Sequence, residues 1–404
     1  MMFKIAFRNV FRQKRRTILT VLTMFGGFTL ASISIAWSDG SYNNIISMFT
    51  RNRLGHIQIH ARGYLDRPSL YKNIQDYEKV GEIIAGVPGV EQWTPRLYSA
   101  GLVSVGEKSA GAQIIGIDPE KENSATRFDK KIISGRGFSA PPAREALLGE
   151  GLARVLKARV DDEVVIVSQA ADGSIANDVF TVIGLVSSGD QVYDQTAFYL
   201  PLRDAQELLA LPGKIHELVV IVADLDLVLQ VAADIERNLS LPELAVAPWQ
   251  EFAKSFYTAM KADQQGSWIM LFVITLVVTV GVLNTVLMTV LERIREYGVM
   301  RALGTSPGQV FRLVQVEVII MAVMSVIIGC LLAYVINYAL SIHGITMPTP
   351  FTYGGVEFTT MYTELNTRSF YIPGITVVLA AVFISIFPAL KAARTTPVRA
   401  MRMH

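Results

Sequence analysis

Trp268–Leu291 reads WIMLFVITLVVTVGVLNTVLMTVL, 24 residues without a charge. At about 1.5 Å of rise per residue, a helix of this length covers the ~30 Å hydrocarbon core of a bilayer and satisfies its own backbone hydrogen bonds there. Residues 17–37, 313–340 and 370–390 share this character. The only charge in these three runs is Glu317, close to the start of the third. The spacing is very unequal. One span comes first, then the mostly polar residues 38–267, then three spans close together. A 1+3 arrangement of this kind sets one large domain outside the lipid.

Basic residues give the orientation. Residues 1–16 carry Lys4, Arg8, Arg12, Lys14, Arg15 and Arg16 with no acid, and residues 391–404 carry Lys391, Arg394, Arg399 and Arg402 with no acid. The segment between the second and third spans holds Arg293, Arg295, Arg301 and Arg312 against Glu292 and Glu296. These segments exceed the whole chain's net charge of +2, so the remainder is acidic. The positive-inside rule then places both termini in the cytoplasm. Basic residues at span ends serve as lipid-facing anchors, which argues against nucleic-acid binding. Ser34-Ile35-Ala36 resembles a signal-peptidase site, but the run before it is longer than a typical signal h-region of about 7–15 residues, so a retained span is expected. The single cysteine, Cys330, lies in the third span, so the exported domain has no disulfide.

Residues 38–267 alternate strand-like and helix-like stretches, as a mixed α/β or α+β globule does. Ile57–His60 alternates like a half-buried strand. Strands are expected at 102–105 and 113–117 around a turn at 106–111, then at 164–168, 179–186 and 219–222. Helices are expected at 76–85, 150–156, 202–211 and 225–239.

The flanking segments are more distinctive. Phe3, Phe7, Val10 and Phe11 recur at helical spacing, with Lys4, Arg8 and Arg12 forming the opposite stripe. Such a helix lies on a lipid surface, as a topology anchor or as a mechanical part. The segment 292–309 crowds its charges at the start. Gly304 stops a helix there, and Thr305 or Ser306, with Pro307, can start the next. A short amphipathic helix or an ordinary charged loop fits this pattern. In the third span, Ser325, Gly329 and Ala333 are spaced by four and let helices approach closely, within one subunit or across a dimer. Asn284 sits mid-span and calls for a hydrogen bond to a neighbouring helix. Glu317 calls for a partner or headgroup-level water.

Catalytic signals are weak. Gly135-Arg136-Gly137-Phe138-Ser139-Ala140 superficially matches a dinucleotide fingerprint, but Pro141-Pro142 follows at once and blocks the helix that would hold a pyrophosphate. His56 and His60 are four apart in a strand-like stretch, about 13 Å, too far for one metal. No G-x-x-x-x-G-K-[ST] phosphate loop and no nucleophile elbow occurs. The chain is read as a non-enzyme that binds no metal and no cofactor.

Glu292–Gly304 followed by Val310–Glu317 resembles the coupling-helix signature of the FtsX/MacB/LolCE permeases, the type VII ABC transporter superfamily. Ala6-Phe7-Arg8-Asn9-Val10 with Arg16-Thr17-Ile18-Leu19-Thr20 is similar to that family's opening. Val87-Pro88-Gly89-Val90, Gly116-Ile117-Asp118-Pro119, Ser134-Gly135-Arg136 and Leu148–Ala153 are similar to its periplasmic core domain. Pro388–Arg394 with Pro397-Val398-Arg399-Ala400 is similar to its close. Asp161-Asp162-Glu163 departs from the pattern, where a glycine usually precedes the acid.

The resemblance implies a four-span (1+3) α-helical membrane protein with a large α+β extracytoplasmic domain of the MacB periplasmic-core type. Its parts would be a surface helix at 1–16, spans at 17–37, 268–291, 310–340 and 370–390, the core domain at 38–267, a coupling helix at 292–309, an extracytoplasmic loop at 341–369 and a cytoplasmic tail at 391–404. The implied setting is a bacterial inner membrane. The implied partners are two copies of a separate ABC ATPase that binds the ATP and Mg, a second permease (identical or paralogous), and a periplasmic adaptor or carrier protein. Glu292, Arg293, Glu296, Tyr297, Gly298, Arg301 and Gly304 would meet the ATPase, with Tyr297 filling a pocket on it. The implied function is mechanotransmission for release of lipoprotein or export of another amphiphile. The alternative is an FtsX-like regulator of cell-envelope hydrolases.

Overall fold

The structure, a computed structural model, describes residues 2–12, 14–139, 144–353 and 356–395. The motif residues Ala140, Pro141 and Pro142, the closing motif 397–400 and the remainder of the tail lie outside the described residues. In chain order the elements are α1 (Met2–Arg12), α2 (Lys14–Phe49), β1 (Ile57–Ala61), β2 (Ile74–Gln75), α3 (Tyr77–Ala85), β3 (Val90–Val105), β4 (Lys108–Ile117), α4 (Pro119–Thr126), β5 (Ile132–Gly135), β6 (Glu145–Gly149) and α5 (Glu150–Leu156). Then come β7 (Glu163–Gln169), β8 (Ile175–Val186), α6 (Gln191–Asp194), β9 (Ala197–Pro201), α7 (Leu202–Leu208), β10 (Lys214–Ile215), β11 (Glu217–Val222), α8 (Val228–Leu239), β12 (Leu244–Pro248) and α9 (Trp249–Phe252). The last third holds α10 (Lys254–Glu292), α11 (Ile294–Ala302), α12 (Pro307–His343), β13 (Ile345–Tyr353), β14 (Val356–Met361) and α13 (Arg368–Arg394).

The chain divides into two compact units. The first comprises Met1–Asn44, Met260–Thr346 and Thr360–His404. Helices α2, α10, α12 and α13 are each long and apolar enough to cross a membrane. Met24 and Phe28 of α2 pack with Val278, Val282, Val286 and Val290 of α10, Val314 and Val318 of α12, and Val377 and Ala381 of α13. Large apolar side chains such as Phe272, Val277, Leu331, Val335 and Phe383 stay exposed, as lipid-facing residues do. The start of α12 is built by a reciprocal capping box. Ser306 Oγ accepts from Gln309 N, the Gln309 side chain accepts from Ser306 N, and Pro307 takes the first-turn position. Gly304, at φ +98°, makes the reversal just before it. Pro373 and Pro388 sit inside α13 without ending it.

Two spans outrun the runs from which they were expected. The first, expected at 17–37, continues as helix α2 to Phe49, and α10 begins at Lys254 rather than at 268. Gly40 does not stop α2. A Cβ there would lie 2.4 Å from the Tyr362 carbonyl oxygen, so the glycine serves close packing instead. The segment 341–369, expected as a loop, carries the paired strands β13 and β14.

The second unit, Ile45–Ala259 with Met347–Thr359, is built on a mixed sheet in the order β12-β1-β11-β3-β4-β9-β6-β8-β5, with β7 pairing β3 and β8. The β4–β9 and β6–β8 pairs are parallel and the others antiparallel. The expected strands 102–105 and 113–117 are the ends of one long hairpin. Its register runs from Arg96↔Ile117 to Val105↔Lys108, with Gly106, at φ +55°, in the turn. Strand β1, expected half-buried, is buried at Ile57, Gln58, Ile59 and His60 alike, because β11 and β12 flank it and both faces are covered. Asp118 caps α4 by accepting from Glu120 N and Lys121 N, with Pro119 at the first position.

Candidate coupling site

Helix α11 lies between two spans, and its sequence sorts into two faces. Arg293, Ile294, Tyr297 and Gly298 are buried, whereas Arg295, Glu296 and Val299 are exposed. At 3.6 residues per turn these sets fall on opposite sides of the helix. Glu292 and Gly304 are also exposed, and Leu303 is 82% exposed.

The inward face is held by ionic bonds. Arg293 donates to Glu317 Oε2 at 2.7 Å and to Glu296 Oε2 at 3.0 Å, and its guanidinium lies 5.2 Å from the Tyr297 ring centroid. Asn9 of α1 donates to the other Glu317 oxygen at 2.7 Å. Burial of Glu317 without partners would be costly, and Arg293 and Asn9 supply them from two other elements. Arg12 of α1 pairs with Glu296 at the surface. Arg301 donates to the backbone oxygens of Ala393 (3.1 Å) and Thr395 (2.9 Å), tying α11 to the end of α13. Burial pushes the Tyr297 phenol up from its ordinary pKa, and its hydroxyl has no hydrogen-bond partner among the described residues.

The seven residues expected at an ATPase contact therefore do not share one surface. Arg293, Tyr297 and Gly298 face inward, and Tyr297 fills a space inside this chain rather than a pocket on another. Arg301 is half-buried and engaged with backbone. Glu292, Glu296 and Gly304 remain at the surface. Arg295, Val299 and Leu303 belong with them. Sequence reasoning missed these three, although counting in steps of three and four from Glu296 picks out Val299 and Leu303.

Helix α1 also differs from expectation. Phe3, Phe7 and Phe11 form an exposed row of ring contacts, with centroids 6.5 and 4.8 Å apart, the first pair stacked and the second tilted. Arg8 and Arg12 are exposed. Val10, expected in that row, turns inward with Ala6 into the cluster that holds Tyr297, Val310 and Leu313. Ser325, Gly329 and Ala333 are buried, and a Cβ on Gly329 would lie 2.5 Å from Phe28 Cδ1. Asn284 is exposed, with no hydrogen bond to a neighbouring helix among the described residues.

In the second unit, strand β5 ends at Gly135, and Arg136 and Ser139 both bind Glu145. These residues of the apparent dinucleotide motif thus serve a local turn. His56 and His60 are buried and face backbone. His56 Nδ1 accepts from Val222 N, and His60 Nδ1 lies 3.1 Å from the His216 oxygen. Their burial lowers both pKa values to about 4. A buried charged cluster joins β3, α4 and β11. Arg96 holds Glu122 through two bonds (2.6 and 3.1 Å), and Glu217 lies 3.6 Å from the same guanidinium.

Four membrane-length helices in a 1+3 order, an α+β domain and a charged helix between two spans define a permease subunit of an ABC transporter. A model of the MacB-like periplasmic core domain matches residues 17–238, and one of the FtsX-like permease C-terminal region matches residues 268–397. The chain belongs to the FtsX/MacB/LolCE-type permease family, whose members work with ABC ATPases. It is similar to the lipoprotein-releasing system transmembrane protein LolC of Xylella fastidiosa, 24% identical over 418 residues that cover 97% of this chain and 96% of the relative. The LolC protein of Neisseria meningitidis is 23% identical over 78% of this chain and 76% of its own length. The macrolide export ATP-binding/permease protein MacB of Campylobacter jejuni is 23% identical over 99% of this chain and 61% of its own length. The periplasmic region of MacB from Actinobacillus actinomycetemcomitans superposes with a TM-score of 0.37 at 17% identity, over 49% of this chain and 91% of that one.

Proposed function

We propose that this permease couples ATP hydrolysis by a separate ATPase to movement of its core domain, for release of a lipoprotein or export of another amphiphile. The outward face of α11 carries the reading: Glu292, Arg295, Glu296, Val299, Leu303 and Gly304 present charge around two exposed apolar side chains, the composition of a protein contact with an apolar centre and a polar rim. A phosphate-cradling sequence is missing from residues 1–404, so two copies of a partner would bind ATP and Mg. The basic segments support a topology with α1 and α11 on the cytoplasmic side of a bacterial inner membrane and the core domain on the other. Near full-length similarity to LolC favours lipoprotein over other amphiphiles. Exposed Asn284 at mid-span supports pairing with a second permease, identical or paralogous, that would give it a hydrogen-bond partner. A periplasmic adaptor or carrier would meet the core domain.

The test is co-purification of the ATPase with the full chain carrying Leu303→Asp with Val299→Asp. Loss of the ATPase from a normally inserted variant is expected. Full recovery of the ATPase would refute the assignment of this face.

A further inference from the structure

We propose that helix α1 is latched to the coupling helix and carries its motion to the first span, with Asn9, Arg12, Arg293, Glu296 and Glu317 as the latch. The proposal rests on the function proposed above and extends it to an element that no ATPase contact needs.

Three features of the structure carry it. First, Glu317 is shared. One carboxylate oxygen takes Asn9 from α1, the other takes Arg293 from the start of the coupling segment, and Glu317 itself belongs to α12. Its side chain is 8% exposed and that of Arg293 is 6%, so water does not compete for these bonds. Second, Arg293 continues the chain of contacts to Glu296, and Glu296 pairs with Arg12, one helical turn beyond Asn9. Two separate polar links thus join α1 to the coupling segment, one buried and one exposed. Third, α1 is tied to the span that follows it. Thr17 of α2 donates to the Val10 carbonyl at 2.6 Å across the junction of the two helices. Ala6 and Val10 are buried with Tyr297, Val310, Leu313 and Val314.

A helix held only by its exposed Phe3, Phe7 and Phe11 in the headgroup layer could slide past α11 at little cost, because lipid replaces lipid. Directional bonds to a shared buried carboxylate do not slide. They keep one geometry or break. Displacement of α11 by an ATPase would therefore move α1 with it, and through Thr17 the first span.

The experiment uses the full chain in lipid nanodiscs with its co-purified ATPase, in a Cys330→Ser background. Spin labels on cysteines placed at Lys4 and Ala302, both exposed and outside the proposed ATPase face, report the α1–α11 distance with and without ATP, using an ATPase that binds ATP but cannot hydrolyse it. The wild-type distance is expected to stay within one narrow distribution in both states. Asn9→Leu combined with Arg12→Glu should broaden it and lower ATP-driven activity at least tenfold, with the ATPase still bound. In a second variant, Arg12→Glu alone should lose part of the activity and Arg12→Glu with Glu296→Arg should regain it, with activity expressed per ATPase bound because Glu296 also lies on the proposed ATPase face; a merely structural loss would not be regained. A wild-type distance that shifts with ATP, or unchanged distance and activity in the Asn9→Leu/Arg12→Glu variant, overturns the latch and leaves the function proposal standing. A wild-type chain that recruits no ATPase overturns both.

Discussion

Replacing Glu217 by Gln should flatten a pH dependence of the core domain that the structure makes large. Glu217 is buried, and its surroundings are short of positive charge. Arg96 is committed to Glu122 through two bonds, and His60, 3.7 Å from Glu217, stays neutral because burial lowers its pKa to about 4. Burial then pushes the Glu217 carboxyl up to about 7, against the pull of Arg96 and the Tyr98 hydroxyl at 3.1 Å. Folded Glu217 thus keeps its proton between pH 4.5 and about 7, where the unfolded chain has lost it. The folded state binds more protons there, so stability is full below pH 4.5 and falls as pH rises to about 7. At 1.36 kcal/mol per unit, the loss is about 3 kcal/mol. Gln keeps an acceptor for Tyr98 and cannot ionise. Amide hydrogen exchange of β11, read in full-length wild type and Glu217→Gln from pH 5 to pH 8, should show the variant gaining about two orders of magnitude in relative protection. A constant ratio across that range would refute the claim that Glu217 is the uncompensated acid of this cluster.

Tyr297→Ala should cost about 3–5 kcal/mol, because it empties a fully buried aromatic site, while Tyr297→Phe should be neutral or slightly stabilising, since the hydroxyl has no partner among the described residues; thermal melts in detergent separate the two. Gly329→Leu should destabilise by about 1–3 kcal/mol, because its Cβ meets the fully buried Phe28 ring at 2.5 Å, whereas Gly26→Ala, with nothing within 4 Å, should cost nothing by the same melts. Ser306→Ala removes the cap of α12 and should lower stability by about 1 kcal/mol, read as faster proteolysis near Thr305.

The spans were legible because a bilayer reads only length and charge. Where helices ended was not. Asp39 and Asn43 lie just past the apolar run 17–37, yet both are used inside a continuing helix: Asp39 accepts from Asn366, and Asn43 donates to Glu364. Strands β6 and β9 gave little signal, since each is a five-residue run buried throughout and carries no alternation. The first half of β4, Lys108–Gly111, was read as turn because Ser, Ala and Gly favour no strand; pairing with β3 overrides that preference. In the segment 292–304 the composition marked a charged stretch between two spans but not which of its side chains face outward. An arginine and a tyrosine at 293 and 297 look like surface recognition until Glu317, 24 residues on, claims the arginine.

The four spans are not joined to one another in the same way. Helix α2 bonds to Asn337 of α12 through Ser32, and α12 bonds to α13 through Gln315 and Ser385. Asp39 adds links from α2 to Asn366 and Arg368 just before and at the start of α13. Helix α10 meets the cluster in its second half through Val278, Val282, Val286 and Val290, one valine per four residues, and in its first half Ser267 is bonded to Ser38. A valine row facing apolar neighbours exchanges one apolar contact for another when it shifts, and lipid tails are equally apolar, so its position is weakly fixed. Hydrogen bonds buried between α2, α12 and α13 fix theirs strongly, because a broken bond leaves a polar group in hydrocarbon. In the coupling proposed above, a pull on α11, which follows α10 directly in the chain, would therefore be met by the braced helices α2, α12 and α13 on one side and, on the other, by a span whose polar tie to α2 lies far from α11, at Ser267.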